Sequence, residues 1–322
     1  MNTNNEILDI IYCLDENYNL QMTTSANSFL NHYEKPVRIH ILHNNPDSLS
    51  ASCSQLHNNK NLISIEKYKF TKNENFIFSE VENRHYTEAT YYRLFLQDYL
   101  PESIKYLLYL DPDVITMNKV TDIVQDKFNK LSNSEFSIAG VNYTKSINSD
   151  NKEMLAALKM KSTNYFNAGV LFIDYEKWIG HNIGSNILTH TTSSLKGVEL
   201  AQHDQDILNS YFDGKFLELD NKLNWPILER FYYKDREVIE DKSFFIHYVG
   251  KEKPWLLNGI FTNVAKYYQE SFEQLYSKKH IVFDKNLNHK SQIKKIFGFY
   301  SVKKGKIRIL LQVIKEYFII SL

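Results

Sequence analysis

Short apolar runs alternate with longer segments of mixed polarity along most of this 322-residue chain. Leu8 to Leu14 (LDIIYCL) reads as a buried strand that ends at the polar cluster Asp15-Glu16-Asn17. Gln21 to Tyr33 reads as a helix, Val37 to His43 as a second strand, and Leu62 to Phe70 as a third with an alternating pattern. Thr87 to Leu100 (TEATYYRLFLQDYL) fits a helix that Thr87 can cap and Pro101 closes. Tyr106 to Leu110 is a fourth apolar run and empties into Asp111-Pro112-Asp113. Phe136 to Val141, Gly169 to Asp174 and Ser243 to Val249 complete the strand candidates. Strands alternating with helices predict an α/β fold with a largely parallel sheet covered on both faces.

Composition bounds the function more than it names it. With 43% hydrophobic and 14% aromatic residues the chain can bury a substantial core. Its 38 basic and 38 acidic residues cancel, so nothing global points to a nucleic-acid partner. The average hides a polarity: between Lys290 and Leu322 eight Lys/Arg face one acid, Glu316. We therefore draw a boundary near residue 280, with a main domain over 1–280 and a basic tail over 281–322. Cys13 and Cys53 are too few for a disulfide framework and lack metal-site spacing. The polar N-terminus shows no secretory pattern, and no apolar run reaches the roughly 18 residues of a spanning helix, so a cytoplasmic location is expected.

In open α/β sheets ligands collect at the carboxyl ends of strands. Asp15 and Asn17 end the first strand, and Asp111 and Asp113 end the fourth, so both clusters point at one rim. Two carboxylates one residue apart can hold a divalent cation from one side, as hard oxygen donors do for magnesium or manganese. An ordinary Asp-Pro turn leaving a strand is the alternative for the tripeptide alone. His247 favours the metal, because an imidazole added to two carboxylates suits a transition metal such as manganese. The Gly250 turn and Lys253 that follow it could meet a diphosphate.

These separated motifs together resemble the family 8 glycosyltransferases, the retaining group that includes glycogenin, over about residues 7–260. The resemblance implies a GT-A fold: a Rossmann-like nucleotide-binding mixed sheet flanked by helices. It implies that Asp111, Asp113 and His247 are ligands to Mn2+, with Mg2+ possible, and that Gly250 and Lys253 contact the UDP phosphates. Asp15 and Asn17 would bind uridine and Tyr18 would stack on uracil. Arg93 occupies the family's helix arginine that contacts the donor, and Asn167, in Tyr165-Phe166-Asn167-Ala168-Gly169-Val170, the donor-sugar segment. In His203-Asp204-Gln205-Asp206-Ile207-Leu208-Asn209, Asp204 would contact the donor hexose and Gln205 the β-face of its anomeric carbon. An amide is a poor nucleophile, which favours a front-face route in which departing UDP helps deprotonate the acceptor. Some relatives carry an Asp four residues after the glycine of the fifth strand, where this chain has Thr144.

The expected activity is therefore transfer of a hexose from UDP-glucose or UDP-galactose to a glycan or lipid-linked glycan of bacterial surface polysaccharide or lipopolysaccharide. A self-glucosylating primer of the glycogenin type, or a non-catalytic nucleotide-sugar-binding protein, are the alternatives. Ile307 to Ile320 is mostly apolar and follows a run of Lys and Arg, so the tail is expected to form a helix lying on an anionic membrane surface, with packing back on the main domain or on a second copy as the alternative.

Overall fold

The structure, a computed structural model, describes residues 7–71, 88–143, 151–227, 243–284, 286–302 and 307–321. Its strands are β1 (Leu8–Leu14), β2 (Val37–His43), β3 (Leu62–Lys69), β4 (Tyr106–Leu110), β5 (Val114–Thr116), β6 (Ile138–Asn142), β7 (Phe166–Asp174), β8 (Leu217–Leu219), β9 (Trp225–Pro226) and β10 (Phe245–His247). The longer helices are α1 (Asn19–His32), α2 (Thr121–Ser132), α3 (Ile183–Ser193), α4 (Asp204–Phe212), α5 (Ala265–Tyr276), α6 (His289–Val302) and α7 (Ile307–Ser321). Seven strands form one sheet in the order β3-β2-β1-β4-β7-β6-β8, and β5-β10-β9 form a small second sheet.

Alternation along the strands gives the large sheet two apolar faces. Ile11 and Cys13 of β1, Leu107 and Tyr109 of β4, and Leu171 and Ile173 of β7 pack with Tyr91, Phe95, Trp178, Ile207 and Phe212. The intervening residues Ile10, Tyr12, Leu108, Leu110, Val170 and Phe172 pack on the other side with Met22 and Phe29 of α1 and Val124 and Phe128 of α2. Both faces are therefore covered, as the unbroken apolar runs required.

Three expectations become specific. The sheet is mixed: β1 is parallel to β2 and β4, and β2 to β3, but β7 runs antiparallel to both β4 and β6. A strand pattern carries no direction, and the connection from β6 to β7 is long enough for either sense. The consequence is functional, since the N-terminal end of β7 now lies beside the C-terminal end of β4.

Second, the segment read as one helix is a 3-10 helix over Glu88–Phe95 followed by a single α-turn, Leu96–Tyr99. Tyr91 to Leu96 are all buried, so no polar face remains and packing, rather than helix periodicity, sets its winding. Thr87, and likewise Thr144, lie outside the described residues.

Third, the tail packs on the rest of the chain along one side. Ile296 of α6 and Leu310, Val313 and Tyr317 of α7 share an apolar core with Leu257, Ile260, Phe261 and Ile281. Its other side stays open: Phe297, Val302, Ile307, Leu311, Phe318 and Ile319 are exposed. Among the described residues no helix is long and apolar enough to cross a membrane.

Candidate functional site

The rim forms where β1 and β4 end and β7 begins. At the end of β4 the chain turns tightly, with Asp111 N–H donating to Gly169 O (2.8 Å) and Val114 N–H to Asp111 O (3.1 Å). It then enters β5, whose partner β10 pairs His247 with Val114. Tyr248 N–H donates to Asp113 O (3.1 Å), which ties the far strand to the acidic turn. In this way a histidine more than a hundred residues downstream is delivered to the two carboxylates.

His247 Nε2 stands 3.2 Å from Asp113 Oδ1 and 3.6 Å from Asp111 Oδ2. One ligand atom from each residue lies within 4.8 Å of the others. The ring rests flat against Gly169, where any Cβ would collide with it. Asp113 Oδ1 is buried without a hydrogen-bond partner. A buried carboxylate oxygen left so beside an imidazole and a second carboxylate fits a divalent cation, and the two-oxygen, one-nitrogen donor set suits manganese. The other oxygen, Asp113 Oδ2, accepts from Lys253 Nζ at 2.5 Å. Burial works to raise the Asp113 carboxyl, but Lys253 and His247 outweigh it and hold the group below the usual carboxylate range.

Arg93 joins three elements. Its buried guanidinium donates to Ala168 O (2.7 Å) and Asp111 Oδ1 (2.8 Å), and its Nε lies 2.8 Å from Asp204 Oδ2. It also sits 4.2 Å from the centre of the Tyr109 ring, whose hydroxyl donates to Asp111 Oδ1 (2.6 Å). Burial alone would lower the arginine; the Asp111 and Asp204 charges raise it further. At Asp204 the balance is opposite: burial dominates and pushes its carboxyl up to about 7 despite Arg93. The close Nε–Oδ2 approach is poorly aligned, and neither atom makes a hydrogen bond, which explains why the pairing recovers so little.

Around these groups opens a cavity of about 370 Å³, lined by Asp15, Tyr18, Arg93, Asn167, Gln205 and Lys253 among others. Size and polarity suit a small polar ligand with charged parts. A sequence model described as glycosyl transferase family 8 matches residues 9–259. The chain belongs to this family. It is 26% identical over 278 residues to general stress protein A of Bacillus subtilis, covering 79% of this chain and 89% of that protein. It is 27% identical over 195 residues to the lipopolysaccharide 1,3-galactosyltransferase of Salmonella typhimurium, covering 58% of this chain and only 55% of that enzyme. Among solved structures, the galactosyltransferase LgtC in complex with donor and acceptor sugar analogues superposes with a TM-score of 0.66 at 22% identity, over 88% of this chain and 98% of that one. The architecture is accordingly the GT-A type.

Within this family 8 chain, eleven of the twelve residues singled out from sequence line the one cavity: Asp15, Tyr18, Arg93, Asp111, Asp113, Asn167, Asp204, Gln205, His247, Gly250 and Lys253. Asn17 does not; it is exposed, and its backbone N–H is used by Asp15 Oδ1 (2.9 Å) to cap the turn after β1. Gly250 has φ +82°, a left-handed turn that favours glycine and lets the chain double back so that Lys253 reaches Asp113.

Sequence reading missed the residues that hold the others. Gln205 is clamped, its Oε1 accepting from Ala168 N–H (2.9 Å) and its Nε2 donating to Tyr165 Oη (3.2 Å), while Tyr165 donates to buried Asp206 (2.6 Å). Asn209 pins α4 to β7 by exchanging two hydrogen bonds with the Phe166 backbone (2.7 and 2.8 Å). Asn224 reaches both Asn167 and His247. Tyr165, Asp206 and Asn209 fell inside quoted motifs, so their spacing to Asn167 and Gln205 was a usable signal. Asn224 had none.

Proposed function

We propose that the chain is a retaining hexosyltransferase that moves glucose or galactose from a UDP-sugar to a glycan acceptor, in assembly of lipopolysaccharide or a related surface polysaccharide. The observation that carries this reading is the convergence of Asp111, Asp113 and His247 with Lys253, Asn167 and Gln205 in one cavity. Asp111, Asp113 and His247 would hold Mn2+, which supplies Lewis-acid stabilisation of the departing diphosphate. The likeness to a lipopolysaccharide galactosyltransferase supports the acceptor class.

The chain's own residues divide the remaining tasks. Tyr18, set edge-on against Trp255 with ring centres 6.1 Å apart, offers an aromatic face for uracil beside Asp15. Lys253 and the Gly250 turn meet the diphosphate. Asp204 and Asn167 bind hexose hydroxyls, and Arg93 holds Asp204 and Asp111 in register. Gln205, with both ends of its amide engaged, takes no proton and acts as a fixed dipole under the anomeric centre. This favours front-face displacement, in which the departing UDP oxygen receives the proton of the incoming acceptor hydroxyl. Because one bond breaks and one forms on the same face, configuration is retained.

The exposed apolar residues of α6 and α7, flanked by exposed Lys294, Arg308 and Lys315, support docking of this side on an anionic membrane face where a lipid-linked acceptor would be found. The setting we propose is the cytoplasmic leaflet.

The test is UDP release with Mn2+ over a panel of UDP-sugars without acceptor, since transferases of this kind slowly hydrolyse their donor. One UDP-hexose should stand out, and Asp113→Ala should abolish the signal while leaving the fold intact by circular dichroism. Release that persists in Asp113→Ala refutes the metal assignment, and release from no UDP-hexose refutes the enzyme.

A further inference from the structure

We propose that Asn224 is a positioning residue with two outputs. It fixes His247 in the tautomer that points a bare Nε2 at Asp111 and Asp113, and with the Gly169 N–H it holds the Asn167 amide so that its NH2 faces the cavity. The proposal builds on the metal and sugar-nucleotide reading of the site.

The argument starts from a group whose polarity is not in question. The backbone N–H of Gly169 can only donate, and it donates to Asn167 Oδ1 (3.0 Å). Asn167 Oδ1 is therefore an acceptor, and Asn167 Nδ2 is the end left for the cavity. The same Asn167 Oδ1 lies 2.7 Å from the Asn224 amide, so Asn224 must present Nδ2 to it. Asn224 Oδ1 is then the atom 3.1 Å from His247 Nδ1, and an amide oxygen can only accept. His247 Nδ1 must carry a proton, and in the neutral ring Nε2 is then a lone pair. That lone pair is the atom 3.2 Å from Asp113 Oδ1, itself a buried acceptor without a partner. One backbone amide thus orients, through two asparagines, a neutral imidazole whose Nε2 joins the carboxylate oxygens as a donor set for a metal cation.

Asn224 is built to hold this post. It is 3% exposed and follows the 3-10 turn Asn221–Leu223, with its N–H on Asn221 O (3.1 Å). The next two residues form β9, which pairs Trp225 with Ile246 and Pro226 with His247. The asparagine and the histidine are carried on neighbouring strands, so their separation is set by the backbone.

Two variants separate the outputs. Asn224→Asp can still accept from His247 Nδ1–H but has no N–H for Asn167 Oδ1, so Mn2+ affinity should stay within about threefold of wild type while the preference for a UDP-hexose over UDP falls. Asn224→Leu loses both contacts, and Mn2+ affinity should fall by about 10–100-fold, the range for lost outer-shell partners of metal-bound histidines. The probe is Mn2+ alone, followed by electron paramagnetic resonance, with UDP, UDP-glucose and UDP-galactose added in a second titration. Unchanged Mn2+ binding in Asn224→Leu, or equal weakening in both variants, overturns the proposal. Nitrogen-15 spectra of metal-free wild type, recorded at a pH where the ring is neutral and with His247 assigned by comparison with His247→Gln, judge it without any Asn224 variant: a neutral ring protonated on Nδ1 supports it and one protonated on Nε2 refutes it. Wild type that binds no Mn2+ would instead defeat the metal reading and leave the tautomer measurement to decide the positioning role.

Discussion

Acidification from about pH 7 to about pH 5 tests a buried imidazole that does not line the cavity. His280 lies 8% exposed against α5, its ring stacked on Phe272 at 4.7 Å and near Trp255 at 6.1 Å, with Nδ1 2.6 Å from the Tyr268 hydroxyl. Burial, helped by the charge of Lys278, pushes its pKa down from 6.5 to about 3. A depressed histidine means that the unfolded chain takes up the proton first. The stability involved is complete above the unfolded value and is lost as pH falls from there toward about 3. At about pH 5 the unfolded ring is almost fully charged while the folded ring is neutral, so the loss from pH 7 is about 2 kcal/mol. The window lies wholly above the folded value, so the unfolded value alone sets that figure. The assay is urea unfolding at both pH values for wild type and His280→Phe. The variant keeps the stacking and loses the Tyr268 contact, a constant offset of about 1–2 kcal/mol. Its loss on acidification should be smaller than wild type by about 2 kcal/mol. His43, His190 and His203, which burial also lowers, and Asp204 and Asp206, which burial raises, shift both proteins alike and cancel. Equal losses in the two proteins would refute the reasoning and show that the charged ring is held among the aromatic faces.

Three further outcomes follow from single contacts. Lys177 Nζ donates to the carbonyls of Leu131, Ser132, Ser134 and Phe136 at 2.7–3.2 Å, closing the end of α2, so Lys177→Met should lower stability by about 2–4 kcal/mol in urea unfolding. Tyr165→Phe frees the Gln205 amide and strips a partner from Asp206; kcat should fall about tenfold, or about 1.4 kcal/mol, with UDP affinity unchanged by calorimetry. His203 adopts φ 50°, ψ −118° just before Asp204, a conformation that costs a residue with a Cβ about 1–3 kcal/mol, so His203→Gly should be more stable than His203→Ala by roughly that amount.

How far the sequence could be read depended on which physical signal each feature leaves. β1, β2 and β4 were found to the residue, because they are short, mostly apolar segments buried on both faces and bounded by polar turns. β7 was found late and without its direction: Asn167 and Gly169 interrupt the pattern at the end that serves the site. The segment around Arg93 lost its helix because burial on every side removed the periodicity that would have announced it. Asp111, Asp113 and His247 were legible since metal-binding chemistry restricts residue type and spacing. Asn224 and Tyr109 were not, because a polar side chain that acts by touching another one leaves no pattern along the chain. Their role exists only once β9 lies beside β10 and the Arg93 segment lies over β4.

The charges of the site explain how Asp111, Asp113 and Asp204 coexist. Asp111 shares Arg93 and the Tyr109 hydroxyl, and Asp113 takes Lys253, so these two carboxylates meet two cations. Asp204 is left with a poorly aligned share of Arg93, and burial answers by raising its pKa toward neutrality. Among these five side chains the charges are thus close to balanced. Adding a divalent cation alone leaves an excess of buried positive charge, and adding a diphosphate alone leaves the reverse; each is expensive in a low-dielectric pocket. Under the proposed function the two ligands cancel one another, so each prepares the cavity for the other. Lys253 is the group placed to make the exchange. Its ammonium is steadied by the Tyr248 carbonyl at 2.6 Å, an anchor it would keep in turning toward a phosphate if Asp113 were held by a cation.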